Sequence, residues 1–295
     1  MLVLKGHPTR STVWSLAFAP DGAALASAGT DGTVRLWDLR TLAGRILARV
    51  TYPTSIAYTP DGQELACCHL GRVTLYRTAS GESRELMTEW VYGRKVQFSP
   101  DGRFLATVAG SNLTVWDVPG GRPSPTRTEE PGSLHSLAFA PDGRTLATGH
   151  WLQRLGASGE HWVRLADPAT GQERKTLRGH GDIANCLAFS PDGTTLAAAC
   201  GQFLWAWDVP SGEPVTRQKV DRLHFQSVAF TPDGRFLAAA RNDETVRFWD
   251  ARTWRLAAAF DWDVGPLVSL AIAPDGMRAA AGSKRGKIVL WDVDL

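Results

Sequence analysis

The chain has few cysteines, no long hydrophobic run and no block of like charge. Its 295 residues include 4 cysteines. These lie inside apolar stretches without metal-ligand spacing, which favours buried thiols of a reducing compartment over a disulfide framework. The opening "MLVLKGHPTR" has too short an apolar run for a signal peptide, and no later stretch approaches the length of a membrane span. We therefore expect a cytoplasmic protein without a membrane partner.

Several chemical signatures are also missing. The 32 basic and 30 acidic residues give a net charge of +2 without a basic stripe, so we expect no nucleic-acid partner. Glycines do not gather into a phosphate-binding loop, and no two histidines have the spacing of a zinc-binding helix. We expect neither a cofactor nor a metal. No segment has a 3.6-residue apolar period, so the chain is predicted to be all-β.

One short turn recurs through the whole chain. Pro-Asp-Gly occurs at 20–22, 60–62, 100–102, 141–143, 191–193, 232–234 and 274–276. The Asp positions are 40, 40, 41, 50, 41 and 42 residues apart, a period typical of repeat architectures. Proline presets φ, aspartate bonds nearby backbone and glycine tolerates positive φ. Alternating runs flank each turn, as in "VWSLAF" and "ALASAG", and predict strands. A third strand such as "TVRLWD" and a weaker fourth complete each unit.

These units resemble the bacterial-type WD-repeat (tryptophan–aspartate repeat) family. Gly6-His7 and Gly179-His180 match the first half of its signature. The second half occurs at Trp37-Asp38, Trp116-Asp117, Trp207-Asp208, Trp249-Asp250 and Trp291-Asp292. Units two and four depart from it with Tyr76-Arg77 and Ala166-Asp167. The resemblance implies that residues 1–295 form one all-β domain, a seven-bladed β-propeller of four-stranded antiparallel blades.

The two ends of the chain predict how such a ring closes. Residues 2–5 precede Gly6-His7, where a fourth strand belongs, although no unit comes before them. The last unit stops after "KIVLWDVDL", one strand short. We expect the N-terminal strand to join the last blade and remove the exposed seam.

Unit one carries the residue types of a serine hydrolase, namely His7, Ser27 and Asp31. The resemblance implies a different role, because in WD repeats the matching positions and Trp37 form a buried hydrogen-bond network. Such a network satisfies buried polar groups. We predict that these four residues are structural and that no residue is catalytic.

The predicted binding surface lies on the face that carries the loops between strands b and c and between strands d and a. Unit four has about eight extra residues in its b–c turn, because its interval from Leu146 to Ala166 is longer than the matching interval from Leu25 to Trp37. Insertions on repeat scaffolds tend to mark the binding side. Trp, Tyr and Arg dominate interface hot spots. The candidate contact residues are Tyr52, Trp90, Tyr92, Arg94, Lys95, Trp151, Arg154 and Trp162.

From this face we predict a monomeric, non-enzymatic scaffold that binds a protein or peptide partner. The alternative is a propeller enzyme, a lactonase- or glycosidase-like hydrolase with its site in the central channel. That alternative predicts several inward-facing carboxylates or histidines at equivalent positions, and the sequence has no excess of them.

Overall fold

A computed structural model describes residues 1–87, 93–118, 122–129, 132–153, 159–219 and 222–294, with the backbone alone described at 87, 93 and 122–129. Its regular structure consists of 28 strands in seven four-stranded sheets. Each sheet is antiparallel, and its strands are labelled a to d from the inside of the ring outward. In this part of the chain no helix is long and apolar enough to cross a membrane.

Strands in six of the sheets follow chain order. Blades one to three contain β2 (Val13–Phe18), β3 (Ala24–Gly29), β4 (Thr33–Asp38), β5 (Gly44–Arg49), β6 (Pro53–Tyr58), β7 (Glu64–His69), β8 (Arg72–Arg77), β9 (Ser83–Met87), β10 (Gly93–Phe98), β11 (Phe104–Ala109), β12 (Asn112–Asp117) and β13 (Arg122–Glu129). Blades four to six contain β14 (Ser133–Phe139), β15 (Leu146–Leu152), β16 (Glu160–Ala166), β17 (Glu173–Leu177), β18 (Ala184–Phe189), β19 (Thr195–Cys200), β20 (Phe203–Asp208), β21 (Pro214–Lys219), β22 (Phe225–Phe230), β23 (Phe236–Arg241), β24 (Thr245–Asp250) and β25 (Leu256–Asp261).

Blade seven joins the two ends of the chain. It contains β26 (Leu267–Ile272), β27 (Arg278–Ser283) and β28 (Lys287–Asp292), and its fourth strand is β1 (Leu2–Lys5). β1 pairs antiparallel with β28, with Leu4 opposite Ile288. The inner strands of successive blades contact one another around a closed ring. The structure confirms the predicted seven-bladed propeller and its closure by the N-terminal strand.

The repeated Pro-Asp-Gly turns form a second ring on one face. Each glycine has positive φ, for example 69° at Gly22 and 71° at Gly62. The Asp21 carboxylate accepts a hydrogen bond from the Ala23 backbone N–H at 2.9 Å, which holds the turn. A Cβ at Gly62 would lie 3.3 Å from Pro20, so neighbouring turns are close enough to touch. The turn therefore recurs because it reverses the chain and also packs against the preceding blade.

The core lies between blades, where small side chains allow the sheets to approach closely. In β19 the alanines at 197, 198 and 199 are all 0% exposed. Between blades one and two, Ala28 and Val34 pack in one cluster with Ile56 and Leu65. Such interiors are close-packed, so each blade depends on both neighbours for burial.

Candidate functional site

The four polar residues singled out in blade one form one hydrogen-bonded chain. The Trp37 indole N–H donates to Ser27 Oγ at 2.9 Å, and Ser27 Oγ lies 2.8 Å from His7 Nε2. His7 Nδ1 is 2.9 Å from Asp31 Oδ1. Desolvation lowers the pKa of His7, so the ring is neutral and donates through Nδ1 while Nε2 accepts from Ser27. The polar side chains of these four residues therefore all have hydrogen-bond partners.

Burial governs what this network can do chemically. Ser27 is 0% exposed and its oxygen already accepts the indole N–H, so a substrate carbonyl cannot approach it. Burial raises the pKa of Asp31, but hydrogen bonds from His7 and Thr33 outweigh it and leave that pKa below the ordinary value. A neutral histidine beside an ionised, hydrogen-bonded carboxylate ties two strands and the Gly-His segment together.

Other blades replace this network in different ways. In blade five, both ring nitrogens of His180 lack a hydrogen-bond partner in the described part of the chain, and the ring packs edge-on against Trp207 at 5.3 Å. In blade six Asp243 pairs with Arg241, a 0% exposed residue whose Nη1 lies 2.6 Å from Asp243 Oδ2, and more loosely with Arg247, whose Nη2 is 3.8 Å from the same oxygen. The Arg241 guanidinium also lies 5.4 Å from the centre of the Phe225 ring. Arg241 was not among the predicted site residues, although, histidine aside, it is the one charged residue at which a strand b ends.

Each inner strand has a β-bulge near its start, close to the channel mouth. The register shifts between Val13 and Ser15 in blade one, and at the equivalent place in every other blade. A bulge increases local twist and re-aims a side chain. The bulged residues are Trp14, Thr54, Arg94, His135, Asn185, Gln226 and Val268. The alternating pattern alone did not reveal them.

In blades one, two, four, five and seven, the residue after the bulge hydrogen-bonds to the next blade around a channel of about 360 Å³. Ser15 Oγ accepts the Ile56 backbone N–H at 3.1 Å, and Ser269 Oγ donates to the Val13 carbonyl at 2.8 Å. The residues at this position are Ser15, Ser55, Lys95, Ser136, Cys186, Ser227 and Ser269. They all stand six residues before the Asp of the next Pro-Asp-Gly turn, a signal that was present in the sequence.

Blade three has a lysine, Lys95, at the position where the other blades have serine or cysteine. Lys95 lines the channel and is the one charged side chain among its described lining residues. The link to blade four is made instead by Gln97, whose Oε1 accepts the Phe139 backbone N–H at 3.2 Å. Arg94, at the adjoining bulge, donates to His135 Nδ1 at 3.2 Å. Desolvation and the Arg94 charge lower the pKa of His135 to about 4, so its ring is neutral and can accept this bond.

The predicted contact residues differ in accessibility. Tyr52 is 62% exposed and has a φ of 53°, Arg94 is exposed, and Lys95 and Trp151 are half-buried. Trp151 makes an edge contact with the His135 ring at 6.1 Å, so it lies next to the channel-mouth residues of blades three and four. Trp90, Tyr92 and Arg154 lie outside the described residues.

Trp162 belongs to the packing of blade four rather than to its surface. The insertion lengthens the hairpin, so β15 and β16 have seven residues each and His150 pairs with Trp162. The two rings stack at 5.0 Å, and Trp162 is 8% exposed. The expectation that it is open to a partner was based on assigning the whole insertion to a loop. Part of the insertion instead extends β15 and β16 beyond the point where strands b and c end in blade one.

Within the described residues, no group of three or more His, Cys, Asp or Glu side chains is placed to hold a metal. The four cysteines are free, and three are buried. Burial raises the pKa of the Cys68 thiol to about 11, which disfavours the thiolate that a metal or an electrophile requires.

Comparison with known sequences agrees with the geometry. The profile of the family described as "WD domain, G-beta repeat" matches residues 1–38, 88–117, 171–208, 219–250 and 262–292, more than half of the chain. The chain belongs to the WD-repeat family. The unmatched stretches contain blade two and the first three strands of blade four, in which Tyr76-Arg77 and Ala166-Asp167 replace Trp-Asp.

Curated relatives match parts of the propeller. WD repeat-containing protein SL1-17 of Schistosoma mansoni is 32% identical over 50% of this chain and 46% of its own length. WD repeat and SOCS box-containing protein 1 of Danio rerio is 28% identical over 61% of this chain and 54% of its own length. Target of rapamycin complex subunit LST8 of Bos taurus is 29% identical over 45% of this chain and 42% of its own length. The chain spans about half the length of these relatives, which are animal proteins, and its bacterial origin stays a prediction.

Proposed function

We propose that this protein is a monomeric, non-enzymatic scaffold that binds a protein or peptide partner on the face formed by the b–c and d–a loops. The observation that carries the proposal is the exposure of large aromatic side chains there. Trp14 is 43% and Tyr52 is 62% exposed, and they are the two aromatic residues among the exposed large hydrophobic side chains of the described chain. Rigid aromatic side chains at a surface are typical anchors of interfaces.

Charge indicates what kind of partner would fit. Arg94 and Lys95 lie at the channel mouth, and the described lining of the channel contains no carboxylate. Arginine offers a planar fork of donors to a carboxylate. The proposed partner segment therefore carries acidic or polar groups beside an apolar contact. The similarity to a complex subunit, target of rapamycin complex subunit LST8, is compatible with this role.

The experiment begins with purification of tagged protein from its native cell and identification of bound proteins by mass spectrometry. Affinity for the purified partner is then measured for Trp14→Ala, Tyr52→Ala and Trp151→Ala. We expect at least one variant to lose about 2 kcal/mol, roughly thirtyfold in affinity.

Two control variants change the opposite face. Met277→Ala removes a 64% exposed apolar side chain next to a Pro-Asp-Gly turn, and Glu213→Ala removes an exposed charge from a c–d turn. Both are expected to bind normally. If the controls alone weaken binding, the partner binds the other face and the proposal is wrong.

A further inference from the structure

A groove of about 670 Å³ lies between blades one and two, away from the central channel. It runs from the b–c turn of blade two, at Leu70, down strands c and d of that blade to Ser83. The volume lies within the range of small-molecule sites. The family signature does not account for this space.

The groove exists because blade two lacks the segment that covers blade one. In blade one, residues 6–12 connect strand d of blade seven to strand a. A Cβ at Gly6 would come within 2.5 Å of the Trp37 ring, which shows how closely this connection covers the tryptophan. In blade two the connection is only residues 50–52, and Tyr76 replaces the tryptophan. A shorter cover and a smaller ring leave space open.

Basic and polar groups line this space from both blades. Arg49 comes from strand d of blade one, and Arg72 and His69 come from blade two. Arg72 pairs with Glu85 at 3.3 Å, whereas Arg49 has no carboxylate within ion-pair distance in the described chain. The wall therefore keeps a net positive charge next to the apolar Leu70 and the Tyr76 ring.

His69 adds a directed donor. Its Nε2 lies 3.0 Å from Thr74 Oγ1, so this nitrogen can accept the hydroxyl hydrogen and leave Nδ1–H to donate. Burial and the Arg72 charge lower the pKa of His69, which keeps the ring neutral. Two guanidinium groups and an imidazole from three backbone positions suit a tetrahedral oxyanion better than a planar carboxylate, because phosphate presents three oxygens.

We propose that this groove binds an organic phosphate, with the phosphoryl oxygens on Arg49, Arg72 and His69 and an apolar body against Leu70 and Tyr76. The groove opens at the b–c and d–a loops of blade two, next to Tyr52 on the proposed partner face, but a small probe can test it before any partner is known. Binding is reversible and involves no covalent step.

The test is isothermal titration calorimetry of the full chain at low salt, where surface charges are least screened. Phenyl phosphate is the probe, with benzyl alcohol as its neutral counterpart and benzoate as a carboxylate. We expect saturable 1:1 binding of phenyl phosphate, no binding of benzyl alcohol and weaker binding of benzoate. Tighter binding of benzoate would overturn the assignment to a phosphate.

Two variants locate the site. Arg49→Met removes the unpaired cation from an exposed position and is expected to weaken phenyl phosphate binding roughly tenfold. Ser83→Trp fills the groove without changing a charge and is expected to abolish binding. Arg40→Met, which removes an exposed arginine from a c–d turn, is the matched control. Circular dichroism checks that each variant is folded. Absent saturable binding, or binding unaffected by both groove variants, would overturn the proposal.

Discussion

His7 joins two other residues of the blade-one network, because each of its ring nitrogens has a different partner. Removing the ring leaves Ser27 and Asp31 buried or half-buried without that partner. We expect His7→Ala to lower the free energy of unfolding by about 1–3 kcal/mol, the cost of leaving a buried polar group unsatisfied. Urea denaturation followed by tryptophan fluorescence measures the change.

The matched control for this substitution is His224→Ala, because the His224 side chain is exposed. That variant is expected to differ from the parent by less than about 0.5 kcal/mol. Equal stability of the His7 and His224 variants would show that the network is not structural.

The ion pair between Arg241 and Asp243 matters for stability, because the arginine is fully buried and its charge needs a partner. Asp243→Ala would leave a buried cation without this carboxylate, so we expect a loss of about 3–5 kcal/mol. Arg241→Ser in the same chain introduces the residue that blade seven has at this position, Ser283, and is expected to restore part of the loss. Thermal denaturation of the single and double variants measures both effects. A double variant less stable than Asp243→Ala would contradict this account.

At the scale of elements, β1 is the strand that closes the ring. It pairs with β28 over its whole length, and Leu4 is 4% exposed in a cluster with Val13 and Leu290. Leu4→Ala is expected to cost about 2–5 kcal/mol, as for other buried leucines. Leu2→Ala, at a residue 46% exposed in the same strand, serves as the control.

A truncation that starts at Gly6 tests the strand as a whole. It removes the ladder to β28, in which each backbone hydrogen bond contributes about 1 kcal/mol net. The exposed edge of β28 would also favour association between chains. We expect a clearly lower melting temperature in differential scanning calorimetry, and an unchanged one would mean that β1 does not hold the ring closed.

Sequence periodicity predicted the elements well because one local pattern recurs in phase. The turn residues Pro20 to Gly22 have a fixed backbone preference, so each copy gives the same hairpin. The bulge at Trp14 could not be predicted in this way, because the run "VWSLAF" does not show at which residue the register shifts. Trp162 was wrongly placed on the surface, because a count of extra residues does not show whether they lengthen a strand or a loop. The groove beside Tyr76 follows from a missing segment, and the residues that line it give no signature of their own.

At the scale of the whole molecule, buried histidines are concentrated in blades four and five. Desolvation is the main cause that lowers their pKa, to about 3 for His150 and about 4 for His180. These rings are 1% and 3% exposed. His135 and His161 in the same sector are also shifted downward, mainly by desolvation. This sector therefore couples the stability of the propeller to pH.

Stability should fall as the pH is lowered, because unfolding allows these histidines to bind protons. The folded state holds these rings neutral, whereas the unfolded chain binds protons near pH 6.5, so stability is complete above that pH and falls as the pH drops towards 4. Between pH 7.5 and 5.5 we expect proton binding at His150 and His180 of the unfolded chain to lower the free energy of unfolding by about 3 kcal/mol in total. Urea denaturation at the two pH values measures the difference. His180→Leu should reduce this difference, because leucine does not bind a proton. The substitution costs no hydrogen bond, since the His180 ring makes none in the described chain. The exposed control His224→Leu should leave it unchanged, and an equal pH dependence in all three proteins would exclude buried His180 as a source.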